Sequence, residues 1–234
     1  HVEAGDLVLA YGDAGDSIRM PGVRPGDPAS GGVPFNLMRF ADGSTLLLSD
    51  LVARGLEITG AASEDALNGA IGDDVLYGLE GRDILAGGPG SDSYYLSPGS
   101  DLDIIGDVSD ETQSNTLILD FPDLQSLDDL TVSFDPAAGA LTIRVSGTGD
   151  GAVLTGFDAA DPWGSRAIDS IVFAGSGRTF TDAQLLANGI EIVGTPDNDV
   201  IEGTTGRDII RGLDGDDLIV GGTGGDIAEG GAGD

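Results

Sequence analysis

The chain has 234 residues, with 41 acidic against 10 basic residues, all of the latter arginine, for a net charge of −31. So strong an acidic excess argues against nucleic acid and anionic membrane as direct partners and suits the binding of cations. The absence of cysteine excludes a disulfide framework and thiol chemistry, and no apolar run reaches membrane-spanning length, so no membrane insertion by this chain is expected.

Residues 1–55 read as short strands and turns, with strands at 7–11, 17–21 and 37–41 and a Gly- and Pro-rich loop at 23–34. A short helix is expected from Ser49, placed as its N-cap, to Gly55. Then the chain falls into nines: TGAASEDAL, NGAIGDDVL, YGLEGRDIL, AGGPGSDSY. An Asp recurs at Asp65, Asp74, Asp83 and Asp92, each followed two residues later by Leu67, Leu76, Leu85 or Tyr94. The phase survives weakly to Asp101 and fades by Asp110. From Asn115 longer alternating strands are expected at 116–119, 130–134, 141–145, 152–157 and 169–173, with 135–140 as a hairpin loop. A second capped helix spans 181–189. The nines then return from Val193: VGTPDNDVI, EGTTGRDII, RGLDGDDLI, VGGTGGDIA, EGGAGD, with Asp199, Asp208, Asp217 and Asp226 in phase.

Nine residues are too few for a helix and its return but suffice for a six-residue turn and a short strand. Alternation along the strand points the residue two after each Asp inward. Two units then make one coil, and units n and n+2 stack on the same side about 4.8 Å apart. Their Asp residues form a row of like charge, repelling by roughly 1 kcal/mol per pair in water and about 3 kcal/mol at an effective dielectric of 20. A thin apolar core cannot absorb that repeatedly, whereas a hard dication bridging carboxylates and backbone carbonyls removes it. The plainer alternatives are that these Asp only cap turns, or that the chain is a disordered acidic tail. Against the latter stand 40% hydrophobic content and 40 glycines that are phased rather than scattered.

The two halves are copies. Leu7 aligns with Leu141, Leu51 with Leu185, Gly55 with Gly189, and the two sets of four Asp with each other, all at an offset of 134 residues. Four segments are expected: 1–57, an incomplete strand-rich segment ending in a short helix; 58–105, a first array; 106–190, a strand-rich segment ending in a short helix; and 191–234, a second array cut short at its C-terminus. The chain opens mid-pattern and stops one residue before the next expected Asp, so it is expected to be a piece of a longer protein.

The nonapeptide resembles the RTX, or haemolysin-type, repeat GGxGxDxUx, with U a large apolar residue. The segments between resemble the haemolysin-related calcium-binding segment, on Leu-Thr-Ile-Arg-Val at 141–145, Ile168-Asp-Ser-Ile-Val-Phe-Ala174 and Phe40-Ala-Asp-Gly43. The resemblance implies an all-β fold: right-handed parallel β-roll arrays alternating with antiparallel strand-rich segments, loaded with Ca2+. It implies four metal pairs, Asp65 with Asp83, Asp74 with Asp92, Asp199 with Asp217 and Asp208 with Asp226. Each would be completed by backbone carbonyls around Gly69, Gly72, Gly78, Gly81, Gly87, Gly90, Gly203, Gly206, Gly212, Gly215, Gly221 and Gly224. Asp101 is a further candidate partner for Asp83. Expected partners are calcium ions and neighbouring repeats of the same chain, with a host or surface ligand reached through the parent protein.

Catalysis finds little support in the residues. His1 is the one histidine and is terminal, and the lone Trp163 reads more readily as packing than as a sugar platform. The chain is therefore expected to be a non-enzymatic, calcium-binding structural module of a large secreted bacterial protein such as an adhesin, surface-layer or toxin-like protein. It would leave the cell by type I secretion and fold outside on meeting calcium. The alternatives are an accessory β-roll of a secreted protease, lipase or polysaccharide-modifying enzyme, and a receptor-binding segment of a toxin.

Overall fold

The computed structural model describes residues 2–3, 6–11, 16–20, 37–107, 112–158 and 167–233, and before Leu37 the backbone alone. His1, Trp163 and the loop at 23–34 lie outside the described residues. Five strands, β1 (Val2–Glu3), β2 (Asp6–Tyr11), β3 (Asp16–Met20), β4 (Leu37–Arg39) and β5 (Thr45–Leu47), lead into a short helix α1 (Leu48–Val52). At nine-residue spacing follow β6 (Glu57–Thr59), β7 (Ala66–Asn68), β8 (Val75–Tyr77), β9 (Ile84–Ala86) and β10 (Ser93–Leu96). Next come β11 (Leu102–Ile105), β12 (Thr116–Leu119), β13 (Leu130–Asp135), β14 (Ala140–Val145), β15 (Gly151–Thr155), β16 (Ser170–Phe173), β17 (Arg178–Thr181) and helix α2 (Asp182–Leu186). The chain closes with β18 (Ile190–Val193), β19 (Val200–Glu202), β20 (Asp208–Arg211), β21 (Leu218–Val220) and β22 (Ile227–Glu229). Among the described residues the fold is all-β apart from the two short helices and one 3-10 turn.

Successive nonapeptides alternate between two sheets. β6, β8 and β10 are parallel neighbours in one, and β7, β9 and β11 in the other. The residue two after each Asp faces the interior, as the alternation requires: Leu76, Leu85, Tyr94 and Ile210 are wholly buried. The residue just after the Asp faces out, and Ile84, Val200 and Leu218 are largely exposed.

Strands β4 and β5 form a small antiparallel sheet of their own, but the antiparallel strands between the arrays do not. β13, β14 and β15 make a meander whose outer members pair in parallel with array strands, β15 with β11 and β13 with β18. One inward-facing row therefore runs through residues of both arrays and the meander: Leu67, Leu85, Ile105, Leu154, Leu141, Phe134, Ile192, Ile210 and Ala228, each opposite the next. Its middle members are buried, Leu67 is half-buried, and Ala228 at the other end is exposed. The opposite sheet carries the matching row Ile58, Leu76, Tyr94, Leu117 and Ile171. In the short array strands the core is thin, one inward side chain per strand, and it thickens beyond them, where β10 and β12 bury two apolar residues each and β13 and β14 three or more.

The internal copy seen in the sequence is a copy of pairing too. β1 lies parallel to β6 with Val2 opposite Ile58, and β13 lies parallel to β18 with Phe134 opposite Ile192. The Phe40-Ala-Asp-Gly43 stretch is the turn between β4 and β5. Gly43 N–H donates to the Phe40 carbonyl at 3.0 Å, and Asp42 accepts the Ser44 N–H at 2.9 Å.

Two local expectations change. Ser49 does not cap α1 but lies inside it; the N-cap is Leu47, which brings no side-chain acceptor. Leu48 and Val52 are buried, so packing rather than capping holds this helix. Helix α2 is capped as its sequence suggests, with Thr181 and Gln184 forming a reciprocal capping box. Strands β5 and β17 were not foreseen; each is the return arm of a hairpin, fixed by its partner strand.

Leu85 is fully buried while its neighbour Ile84 is about half exposed. Leu85→Ala should lower stability in saturating calcium by about 2–5 kcal/mol, the usual range for a buried leucine. Ile84→Ala should cost well under 1 kcal/mol by the same denaturation measurement. Equal losses would contradict the inward row.

Candidate metal sites

Each phased Asp stands at the point where a Gly-rich turn enters its strand. Because strands n and n+2 pair in parallel without offset, the Asp residues stack. The backbone N–H of Asp65 donates to Asp83 Oδ1 at 2.8 Å, and that of Asp74 to Asp92 Oδ1 at 2.7 Å. In the second array Asp199 N–H donates to Asp217 Oδ1 at 3.0 Å and Asp208 N–H to Asp226 Oδ1 at 3.1 Å. These are the four pairs expected from the spacing, brought together side by side.

The second carboxylate oxygen turns back on its own loop. Asp65 Oδ2 accepts from Ala61 N–H and Asp74 Oδ2 from Ala70 N–H, both at 2.6 Å. Asp199 and Asp208 repeat the arrangement with Thr195 and Thr204. Turn capping is thus present, but it does not complete the account. The Oδ2 atoms of Asp83, Asp92 and Asp217 are buried and have no hydrogen-bond donor. A buried anionic oxygen without a partner is costly, and three of them in one repeated position point to a cation as their common partner.

The glycines explain themselves at the same place. A Cβ on Gly60 would meet the Gly78 carbonyl oxygen at 2.7 Å and Asp65 Oδ2 at 2.9 Å. One on Gly194 would meet the Gly212 carbonyl oxygen and Asp199 Oδ2, both at 2.7 Å. Carboxylate and carbonyl oxygens converge where a side chain would otherwise sit, at Gly69, Gly203 and Gly212 as well. Gly78, Gly87 and Gly221 lie directly against the carboxylates of Asp83, Asp92 and Asp226. The later glycines of the turns, Gly72, Gly81, Gly90, Gly215 and Gly224, have positive φ and press on the backbone of the coil below. Gly206 alone of the expected set does neither; it donates its N–H to Thr204 Oγ1.

All these donors are oxygens, several of them backbone carbonyls. That is the ligand chemistry of calcium, which takes six to eight such oxygens, and not of zinc, which prefers nitrogen and sulfur. The residues present therefore fit calcium.

Sequence phase misplaced one rung and missed another. Asp101 is exposed, has φ of 51°, and gives its N–H to Asp150 Oδ1 at 3.0 Å. The residue over Asp83 is Asp103, whose Oδ1 accepts the Asp83 N–H at 2.9 Å. Over Asp92 sits Asn115, whose Oδ1 accepts the Asp92 N–H at 2.8 Å. Burial raises the carboxyls of Asp74, Asp83 and Asp208 above the ordinary range, and pushes Asp92 and Asp103 up to about 7. Neighbouring carboxylates add to the shift, Asp107 and Asp74 for Asp92, and Asp83, Asp101 and Asp150 for Asp103.

Stacked parallel coils of two nonapeptides, with an acidic rung and converging carbonyls at each turn, define a calcium-binding repeat. Residues 58–102 and 193–228 match the RTX calcium-binding nonapeptide repeat, in four copies, so the chain carries such repeats in two segments. No curated protein matches the chain. Among solved structures, the extracellular lipase LipA from Serratia marcescens is similar over 74% of this chain and 27% of its own length, at 20% identity and a TM-score of 0.21. This chain thus spans about a quarter of that one.

In the absence of metal, a folded carboxyl raised above its unfolded value keeps protons that the unfolded chain has lost. Its stabilising share is complete below the unfolded value near 3.8 and is lost as pH rises through about 7. Chelated protein should therefore be more resistant to denaturant at pH 5 than at pH 8, while calcium affinity should rise over the same interval as binding displaces protons. Titration calorimetry near pH 6 in buffers of different ionisation enthalpy should detect proton release. Resistance that rises with pH in chelator would contradict the burial.

Proposed function

We propose that this chain is a calcium-loaded structural module of a large secreted bacterial protein, one that folds on reaching calcium outside the cell. The observation that carries the reading is the stack of Asp rungs whose buried Oδ2 atoms lack donors at Asp83, Asp92 and Asp217. Extracellular calcium modules bind at roughly 10⁻⁴ to 10⁻³ M, so cytosolic calcium would leave the rungs empty and the chain would stay pliable for export.

The energetics favour coupled folding. A site with a dissociation constant of about 10⁻⁴ M adds roughly 1.4 kcal/mol in about 1 mM calcium. Four add roughly 6 kcal/mol and also remove the repulsion of the pairs, against a typical domain stability of 5–15 kcal/mol. A site absent from the unfolded chain makes its binding energy folding energy. We take the coils to be right-handed β-rolls, the hand that parallel crossovers generally adopt, and the module to be scaffolding without catalysis. Adhesin, surface-layer and toxin-like proteins are the parents this reading favours, with type I secretion as the route out.

Isothermal titration tests the site assignment. Asp83→Ala and Asp217→Ala remove inner rungs and should weaken calcium binding at least tenfold at the affected sites. Asp120→Ala, on an exposed residue outside the arrays, should leave binding unchanged. Equal losses in all three would contradict the assignment.

A further inference from the structure

The acidic rows do not stop where the nonapeptide stops, and the two sides of the first array end differently. On the Asp92 side the next rung is Asn115, a neutral amide. On the Asp83 side, β9 and β11 pair with Ile84 opposite Ile104, so a coil of 20 residues in place of 18 brings Asp103 over Asp83. That rung is a second carboxylate. Asp83 and Asp103 are both wholly buried, and the Oδ2 of each has no hydrogen-bond partner. The orphaned oxygens of Asp83, Asp92 and Asp217 belong to pairs within the motif. That of Asp103 does not, and no nonapeptide accounts for it.

The surroundings make this a seam. The turn at 97–101 lies over the coil of Asp83, with Gly81 N–H donating to the Gly99 carbonyl at 3.2 Å. Its other face is tied to the meander. Asp150 Oδ1 accepts the N–H groups of Gly99 at 3.1 Å and Asp101 at 3.0 Å, and Gly151 N–H donates to the Asp101 carbonyl at 2.7 Å. The strand beyond β11 is β15, where Ala152 stands opposite Asp103, so the acidic row ends at this level.

We propose that Asp83 and Asp103 together hold a calcium ion beyond the last nonapeptide of the first array, completed by backbone carbonyls and water, and that this ion clamps the array to the β14–β15 hairpin of the following segment. The proposal rests on the calcium reading of the arrays and extends it to a residue outside the motif. Its consequence is coupling: filling the first array seats the strands that lead into the second.

The test counts calcium ions on the whole chain by native mass spectrometry at neutral pH, alongside Asp103→Asn and Asp101→Asn. Asparagine at 103 keeps an oxygen for the Asp83 N–H but loses the charge. Asp103→Asn should carry one calcium fewer than the unaltered chain, Asp101→Asn the same number, and hydrogen exchange at 151–154 should quicken in the first variant alone. An unchanged count in Asp103→Asn, or a loss in Asp101→Asn, would overturn the proposal while leaving the array reading intact. No calcium on any of the three would instead defeat the array reading. Should Asp103→Asn fail to fold in calcium, the unaltered chain decides: protection at 102–105 and 151–154 must rise with added calcium, and full protection there in chelator overturns the clamp.

Discussion

The structure turns on carboxylates stacked without offset. Parallel pairing of units 18 residues apart places Asp over Asp, and backbone N–H groups from one rung reach the Oδ1 of the next. Those hydrogen bonds fix the geometry but add no positive charge. Repulsion of about 1–3 kcal/mol per pair remains, inside a core only one side chain deep. A cation between rungs converts the same stack from a liability into the main cohesive term. Glycine at the head of each turn follows from this arrangement, because carboxylate and carbonyl oxygens fill the space a Cβ would need.

The antiparallel meander answers a second problem, that of ending an array. Parallel coils leave open edges, which invite pairing with other chains. Here β15 covers the edge of β11, and β13 receives β18, so that the first array hands its sheet to the second through three antiparallel strands. The apolar row passes through without a break, from Leu85 to Ile105, Leu154, Leu141, Phe134 and Ile192. Hydrophobic burial supplies the cohesion of the meander, and the acidic rungs set the conditions under which the arrays join it.

Much of this was legible in the residues because the signal is periodic. A nine-residue period with Asp, Gly and an apolar residue in constant phase admits few structures, and the pairs Asp65–Asp83, Asp74–Asp92, Asp199–Asp217 and Asp208–Asp226 follow from counting. What escaped was aperiodic or non-local. Asp103 is out of phase by two residues, since its coil is two residues longer, and Asp101 holds the expected place in the sequence while pointing its backbone at Asp150. Asn115 is separated from Asp92 by a segment in which the repeat fades out. The sharing of one sheet by β11 and β15 joins residues some fifty apart, which local patterns do not encode. Leu79 and Leu213, with φ near 80°, occupy left-handed turn positions that Gly88 and Gly222 fill in the next units, so the stacked turn overrides residue preference at equivalent sites of both copies.

Hydrogen exchange with and without chelator tests most directly whether calcium creates the arrays or only decorates them. In excess chelator at neutral pH, amides at 69–90 and 203–224 should exchange at rates near those of an unfolded chain, while protection persists around 141–145 in the meander and 170–173 in β16 of the opposite sheet. Restored calcium should bring back the array protection in full. Array amides that keep native protection in excess chelator would contradict the account.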